Sequence, residues 1–133
     1  MVEHRFILKN SEILRNKPHS FSFGLFSFVT FYRSYSRLKH DGSNENWFDV
    51  VLRVTEGIFS IKKNYILKHG LKWNEDEMQR FALDFTTAMY DKKWLPSGRG
   101  LWIMEIDYIF ERGSAALYNC AAVYTSDLAD ATK

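Results

Sequence analysis

The chain has 133 residues, a formal net charge of +2, and hydrophobic and aromatic shares of 46% and 17%. These proportions suit one ordinary globular domain and exclude a disordered composition, and so small a net charge makes no case for a nucleic-acid partner. A single cysteine excludes an intramolecular disulfide, and no apolar run approaches the roughly 18 residues of a transmembrane helix. The start, Met1-Val2-Glu3-His4-Arg5, lacks the charged-then-apolar layout of a secretory signal. The expectation is a soluble protein of a reducing compartment, cytoplasmic and without a membrane partner.

In chain order, Phe6, Ile7, Ile13 and Leu14 give partial helical spacing and predict a short helix over 3–16, ended by Asn16-Lys17-Pro18. Residues 19–37 support two readings. The alternation of Ser and Phe over 20–23 is strand-like, whereas Leu25, Phe28, Val29 and Tyr32 fit a helical stripe. A turn-rich connector, 38–44, leads to the clearest helix, 45–68. Its stripe is Trp47, Val50, Val51, Val54, Ile58, Ile61 and Tyr65, with Ser43 or Asn44 as cap and His69-Gly70 as its end. Gly57 in its middle costs about 1 kcal/mol against Ala and marks a close contact.

A second helix is predicted over 75–91, with Asn74 and Glu77 as a capping box and Met78, Phe81, Ala82, Phe85, Ala88 and Met89 as its stripe. Lys92-Lys93 at its end suits the helix dipole. Leu101-Trp102-Ile103-Met104 reads as a short strand and Leu117 to Tyr124 as a stronger one. Ser126 to Lys133 reads as the start of another helix cut short, which suggests a piece of something longer.

Two features stand out chemically. Cys120 lies in a small, apolar run, where a thiol is either a buried small hydrophobe or a redox or nucleophilic group that needs a partner. Pro96-Ser97-Gly98-Arg99-Gly100 offers a hydroxyl, flexible backbone amides and a guanidinium. Such a loop can hold a phosphate, although the plainer reading is a helix-to-strand turn, and the P-loop spacing is missing. His4, His19, His40 and His69 are isolated near element ends, read as surface residues, and give no metal-binding spacing. Arg33 and Arg37, interleaved with Tyr32 and Tyr35, read as snorkelling side chains of a packed segment rather than a nucleic-acid contact. Glu105, Asp107 and Glu111 are acids or bases that no spacing singles out.

Taken together, the segments resemble the N-terminal region of the monomeric, adenosylcobalamin-dependent (class II) ribonucleoside-triphosphate reductases. The residues that carry the resemblance are ordered along the chain. Val29 to Arg37 is similar to the family's Val-Thr-Tyr-x-Arg-Thr-Tyr-Ala-Arg segment. Glu45-Asn46-Trp47 and Arg53-Val54-Thr55-Glu56-Gly57 are similar to its next block. Pro96 to Trp102 is similar to Pro-Ser-Gly-Arg-x-Leu-Trp, and Asp107-Tyr108 and the Gly-x-x-x-x-x-Asn-Cys ending at Cys120 complete the set, which covers about residues 22–125.

The resemblance implies a mainly α chain with a few β strands: an N-terminal helical region, 1–94, followed by the start of an incomplete ten-stranded α/β barrel, 95–133. It implies thiyl-radical reduction of ribonucleoside triphosphates for deoxyribonucleotide biosynthesis and DNA replication. Cys120 would be one reducing cysteine, giving a proton to the leaving 2′ hydroxyl. Ser97, with Gly98 and Arg99, would receive substrate phosphates, and Asn119 would line the strand beside the thiol. The cobalt cofactor adenosylcobalamin would be bound mainly by the remainder of the enzyme, and a thioredoxin-type reductant would serve the complete protein. The second reducing cysteine, the radical cysteine and most of the barrel have no counterpart here, and Glu105-Ile106 departs from the family's Ser-Gly-Thr before Asp-Tyr. The expectation is an N-terminal piece, from a truncated product, a split enzyme or a stretch before an interruption, inactive without the remaining polypeptide in cis or trans. The alternative is a non-catalytic helical interaction module or relic.

Overall fold

A computed structural model of the chain describes residues 4–19, 21, 24–105, 107–113 and 117. Among them are six helices: α1 Glu12–Arg15, α2 Gly24–Ser34, α3 Trp47–Lys68, α4 Glu75–Tyr90, α5 Gly98–Ile103 and α6 Asp107–Arg112. The described residues form no strand, only an isolated antiparallel bridge between Leu38 and Asn44. The mainly α expectation holds, whereas the predicted strand at Leu117 to Tyr124 and the helix start after Ser126 lie outside the described residues, apart from Leu117 itself.

α3 is the axis of the fold. Its cap is Asn46, not the expected Ser43 or Asn44: the Asn46 carboxamide oxygen accepts from Asp49 N–H at 2.9 Å, and the Asp49 carboxylate accepts from Asn46 N–H at 3.1 Å. Ser43 is instead committed to the preceding turn, donating to Asp41 through its N–H and its hydroxyl. At the other end Gly70, at φ +69°, closes α3 as its sequence predicts. The first half of the predicted stripe, Trp47, Val50, Val51 and Val54, is buried in the main core with Phe31, Met89 and Leu101. The second half departs from expectation, because Ile61 and Tyr65 are exposed while Phe59 and Ser60 are buried. The burial rotates around α3 because a second partner covers its distal half.

That partner is the N-terminal segment. The predicted helix over 3–16 is helical only at Glu12–Arg15. Residues 4–8 instead form an extended strap with Phe6 and Leu8 buried and Ile7 69% exposed, the period-two pattern of an extended chain. Its amides are satisfied by side chains of α3: His4 N–H donates to Asn64 at 3.2 Å, Phe6 N–H to the Ser60 hydroxyl at 2.9 Å, and Leu8 N–H to the Glu56 carboxylate at 3.0 Å. Lys9 N–H then donates to Gln79 of α4 at 2.9 Å. Phe6 stacks 5.1 Å from Phe59 and 5.9 Å from Trp73, which closes a second core with Leu8 and Ala82. Local propensity loses here to a groove that satisfies both the backbone and the apolar side chains.

α4 begins at the predicted Asn74 cap, whose side chain accepts from Glu77 N–H at 3.3 Å. It packs on α3 through Ala82, Thr86 and Met89, and the Thr86 hydroxyl donates to Ala82 O at 2.5 Å beside the Thr55 hydroxyl at 3.1 Å. Trp47 Nε1 donates to Tyr90 O at 2.9 Å and ties the start of α3 to the end of α4. The segment 19–37 resolves as a helix over Gly24–Ser34, although only Phe31 of it is buried; Leu25, Phe26, Phe28 and Val29 remain exposed. The predicted strand Leu101 to Met104 is corrected to the last part of α5 and the residue after it. Leu101, Ile103 and Met104 are buried while Trp102 is 55% exposed, a pattern that both a strand edge and a short helix produce.

Candidate functional site

The loop singled out by sequence becomes the start of α5. Ser97 is its N-cap, extended at φ −57° and ψ 156°, with its hydroxyl accepting from Gly100 N–H at 3.4 Å and its carbonyl from Leu101 N–H at 3.1 Å. The glycines permit close packing on either side. A Cβ on Gly98 would lie 3.2 Å from the Tyr35 hydroxyl oxygen, and one on Gly100 would lie 3.2 Å from Pro96 Cβ. Ser97, Gly98 and Arg99 are exposed together, and Arg99 makes no hydrogen bond or ion pair among the described residues. The structure thus gathers three of the sequence-predicted site residues on one polar edge, where first-turn amides have no intrahelical carbonyl. Asn119 and Cys120 lie outside the described residues.

Behind this edge is an apolar cavity of about 280 Å³ whose lining includes Phe21, Phe31, Tyr35, Trp47, Lys92 and Leu101. The Lys92 ammonium sits 5.0 Å from the Trp47 ring centre and 5.2 Å from that of Phe21. Burial lowers its pKa, and Asp91 opposes the change.

Beneath α5 lies a partly buried set of charges to which sequence reading assigned no role. Arg53 of α3 donates through Nε to Glu45 Oε1 at 2.8 Å and through Nη2 to Glu45 Oε2 at 3.0 Å. It also donates through Nη1 to Met104 O at 2.9 Å and through Nη2 to Leu101 O at 3.0 Å. Glu45 accepts in turn from Arg37 N–H at 3.2 Å. Arg37 is half-buried, as the packed-segment reading expects, while Arg33 is exposed. Burial, followed by the charge of Arg53, lowers the Arg37 pKa to about 10 against the pull of Glu45 and Glu105.

Glu105 closes this cluster. Its φ is +65°, the left-handed region that favours glycine. Burial and then the Glu56 carboxylate push its pKa up to about 7, against the opposing pull of Arg5, 3.9 Å away, and Arg53. The sequence carried one signal of this, the departure at Glu105-Ile106 from the resembled pattern. For Glu45 and Arg53 the signal was an acid just before the helix and a guanidinium two turns into it. All four histidines are exposed, and among the described residues no group of three or more His, Cys, Asp or Glu side chains is arranged to hold a metal. No helix among them is long and apolar enough to cross a membrane.

The family model described as the ribonucleotide reductase alpha domain matches residues 3–106. A protein of Dictyostelium discoideum named as a probable adenosylcobalamin-dependent ribonucleoside-triphosphate reductase is 38% identical over 128 residues, covering 96% of this chain and 16% of that protein. The adenosylcobalamin-dependent ribonucleoside-triphosphate reductase of Euglena gracilis is 34% identical, covering 93% of this chain and 18% of the relative. The crystal structure of a B12-dependent (class II) ribonucleotide reductase superposes with a TM-score of 0.66 at 28% identity, covering 84% of this chain and 16% of the other. The chain therefore spans less than a fifth of the length of these relatives.

Proposed function

Because the chain belongs to the ribonucleotide reductase alpha-domain family, we propose that it is the N-terminal part of a ribonucleoside-triphosphate reductase, acting with the remaining reductase polypeptide in cis or trans. The observation that carries this reading is the match of the family model across residues 3–106. In it, residues 1–94 are the helical support and 95–133 open the α/β barrel. The exposed edge of Ser97, Gly98 and Arg99 supports a substrate-phosphate role, since amides and a guanidinium on one edge suit a triphosphate. Asn119 would lie beside the ribose. Cys120 would give its proton to the departing 2′ hydroxyl, which leaves as water. It would then share with a second cysteine of the remaining polypeptide the loss of two electrons that forms a disulfide, which a thioredoxin-type dithiol reduces again.

The named relatives are adenosylcobalamin-dependent. A cavity of about 280 Å³ has room for a side chain or a small ring and does not fit a corrin. On this reading the cofactor is held by the remaining polypeptide, and no step is routed through it here. The exposed Leu25, Phe26, Phe28 and Val29 of α2 support such a covering polypeptide, since one helix presents them all to solvent.

The test is reconstitution of this chain with the Dictyostelium relative lacking the stretch that it matches, supplied with adenosylcobalamin, a dithiol and a ribonucleoside triphosphate. Deoxynucleotide formation by the pair, absent from either part alone and lost in Cys120→Ser, is the expected result. Full activity of the Cys120→Ser pair removes the role given to Cys120, and turnover by the 133-residue chain alone refutes its dependence on a partner.

A further inference from the structure

α5 has six residues, too few to hold its own conformation in water. Its N-terminal end is capped by Ser97, whereas the final carbonyls of any helix lack intrahelical partners. Arg53 supplies two of those partners at once, at Leu101 O and Met104 O. Its remaining donor edge is closed by the two-point pair with Glu45, and both side chains are nearly buried, at 11% and 10% exposure.

Glu45 is itself fixed on three sides. Its N–H donates to Arg37 O at 2.7 Å, its carbonyl accepts from the Ser36 hydroxyl at 2.6 Å, and its carboxylate accepts from Arg37 N–H. The same segment carries Tyr35, the side chain against which Gly98 packs. Both ends of α5 are thus referenced to residues 35–37: the loop end through Gly98 on Tyr35, the far end through Arg53 and Glu45.

We infer that Arg53, held by Glu45, is a positioning residue that aims the Ser97–Arg99 edge at its anionic ligand; the inference rests on the phosphate reading of that edge. Arg53 does not touch the ligand in this account. It acts by fixing the axis of α5, and displacement of a binding group by about 1 Å costs large factors in recognition. Lysine cannot replace it, because a single ammonium lacks the planar fork that serves a carboxylate and two carbonyls together.

The experiment uses the full chain and inorganic tripolyphosphate, read by the amide resonances of Gly98, Arg99 and Gly100, with hydrogen exchange at Leu101 and Met104 as a second measurement that needs no ligand. Wild type is expected to bind. Arg53→Lys is expected to weaken binding by about tenfold and to speed exchange at Leu101 and Met104 ahead of α3 and α4. Glu45→Gln keeps an acceptor and the packing, and it settles the mechanism by sign. If Arg53 worked by long-range charge, removing the Glu45 charge would tighten binding; positioning predicts weaker binding. Wild type that ignores tripolyphosphate refutes the phosphate reading. Wild type that binds, with Arg53→Lys binding equally or Glu45→Gln binding more tightly, overturns the role of Arg53 alone. If Arg53→Lys does not fold, the Glu45→Gln affinity and exchange decide.

Discussion

Replacing Glu105 separates two costs that the fold carries at one residue. The first is charge. Glu105 titrates near 7 against an ordinary 4.5, because burial and Glu56 disfavour its ionised form more than Arg5 and Arg53 favour it. An acid whose pKa is raised by folding binds more protons folded than unfolded between those two values, so stability falls as pH rises from about 4.5 and the loss is complete above about 7. The gap corresponds to about 3 kcal/mol at most, and solvent screening at the partly exposed edge reduces it to about 1–2 kcal/mol. The second cost is the left-handed backbone at φ +65°, worth about 1 kcal/mol for a residue with a Cβ.

Glu105→Gln removes only the charge, and Glu105→Gly removes both costs. Urea unfolding followed by tryptophan fluorescence at pH 5 and pH 8 separates them. At pH 8 the Gln variant is expected to be about 1–2 kcal/mol more stable than wild type, with the difference shrinking toward zero at pH 5. The Gly variant should exceed the Gln variant by about 1 kcal/mol at both pH values. His19, whose pKa burial and Lys92 lower, contributes a slope of opposite sign below 6.5, so the difference between variant and wild type is the quantity to compare. An equal Gln-minus-wild-type difference at pH 5 and pH 8 would refute the electrostatic argument, and a Gly variant no more stable than Gln at pH 5 would refute the backbone argument.

Two further substitutions test the supports of the site. Gly57→Ala puts a methyl group 2.6 Å from Met104 Cγ and 2.9 Å from the Glu105 backbone nitrogen; although alanine favours a helix by about 1 kcal/mol, overpacking should leave the variant about 1–3 kcal/mol less stable in urea titration, and a more stable variant would contradict the close seat of the corner on α3. Asn46→Ala removes the half of the α3 capping box in which the Asn46 side chain accepts from Asp49 N–H, leaving the backbone N–H of residue 46 on the Asp49 carboxylate, and should cost about 1 kcal/mol, seen as a lower midpoint in thermal unfolding by circular dichroism; an unchanged midpoint would assign the start of α3 to the remaining half and to tertiary packing.

The sequence revealed those elements whose local and tertiary demands agree. α3 and α4 carry period-3.6 stripes and asparagine N-caps, α3 also a closing glycine, and both lie within a residue or two of expectation. The N-terminal segment departs from the predicted helix because Phe6 and Leu8 answer to a groove made of Phe59, Ser60 and Glu56, residues far away in the chain. Leu101 to Met104 reads as a strand because nothing near it announces that Arg53 will take the carbonyls of Leu101 and Met104 and hold a short helix there. At the candidate site the Gly, Ser and Arg composition offers a phosphate loop or a helix-to-strand turn, and the segment forms the exposed start of a short helix instead of leading into a strand. The charges beneath it leave only separate traces in the sequence, because Glu45, Arg53, Glu56 and Glu105 meet only once α3 and α5 are packed.

The N-terminal strap has a consequence in its arithmetic. Its amides at residues 4, 6 and 8 engage α3 at 64, 60 and 56, two residues of one against four of the other, running in opposite directions. Two extended residues advance about 6.6 Å and four helical ones about 6.0 Å. The two rulers nearly agree, like the scales of a vernier, and drift apart by about 0.6 Å at every rung. Three rungs absorb that drift within ordinary hydrogen-bond lengths; a fourth would fall on Leu52, which has no side-chain acceptor, and at Lys9 the strap leaves α3 for Gln79 of α4. A slip by one rung would bring His4 or Asn10 into one of the two inward seats, so the register is marked by polarity as well as by size: Phe6, not Leu8, fills the seat between Phe59 and Trp73.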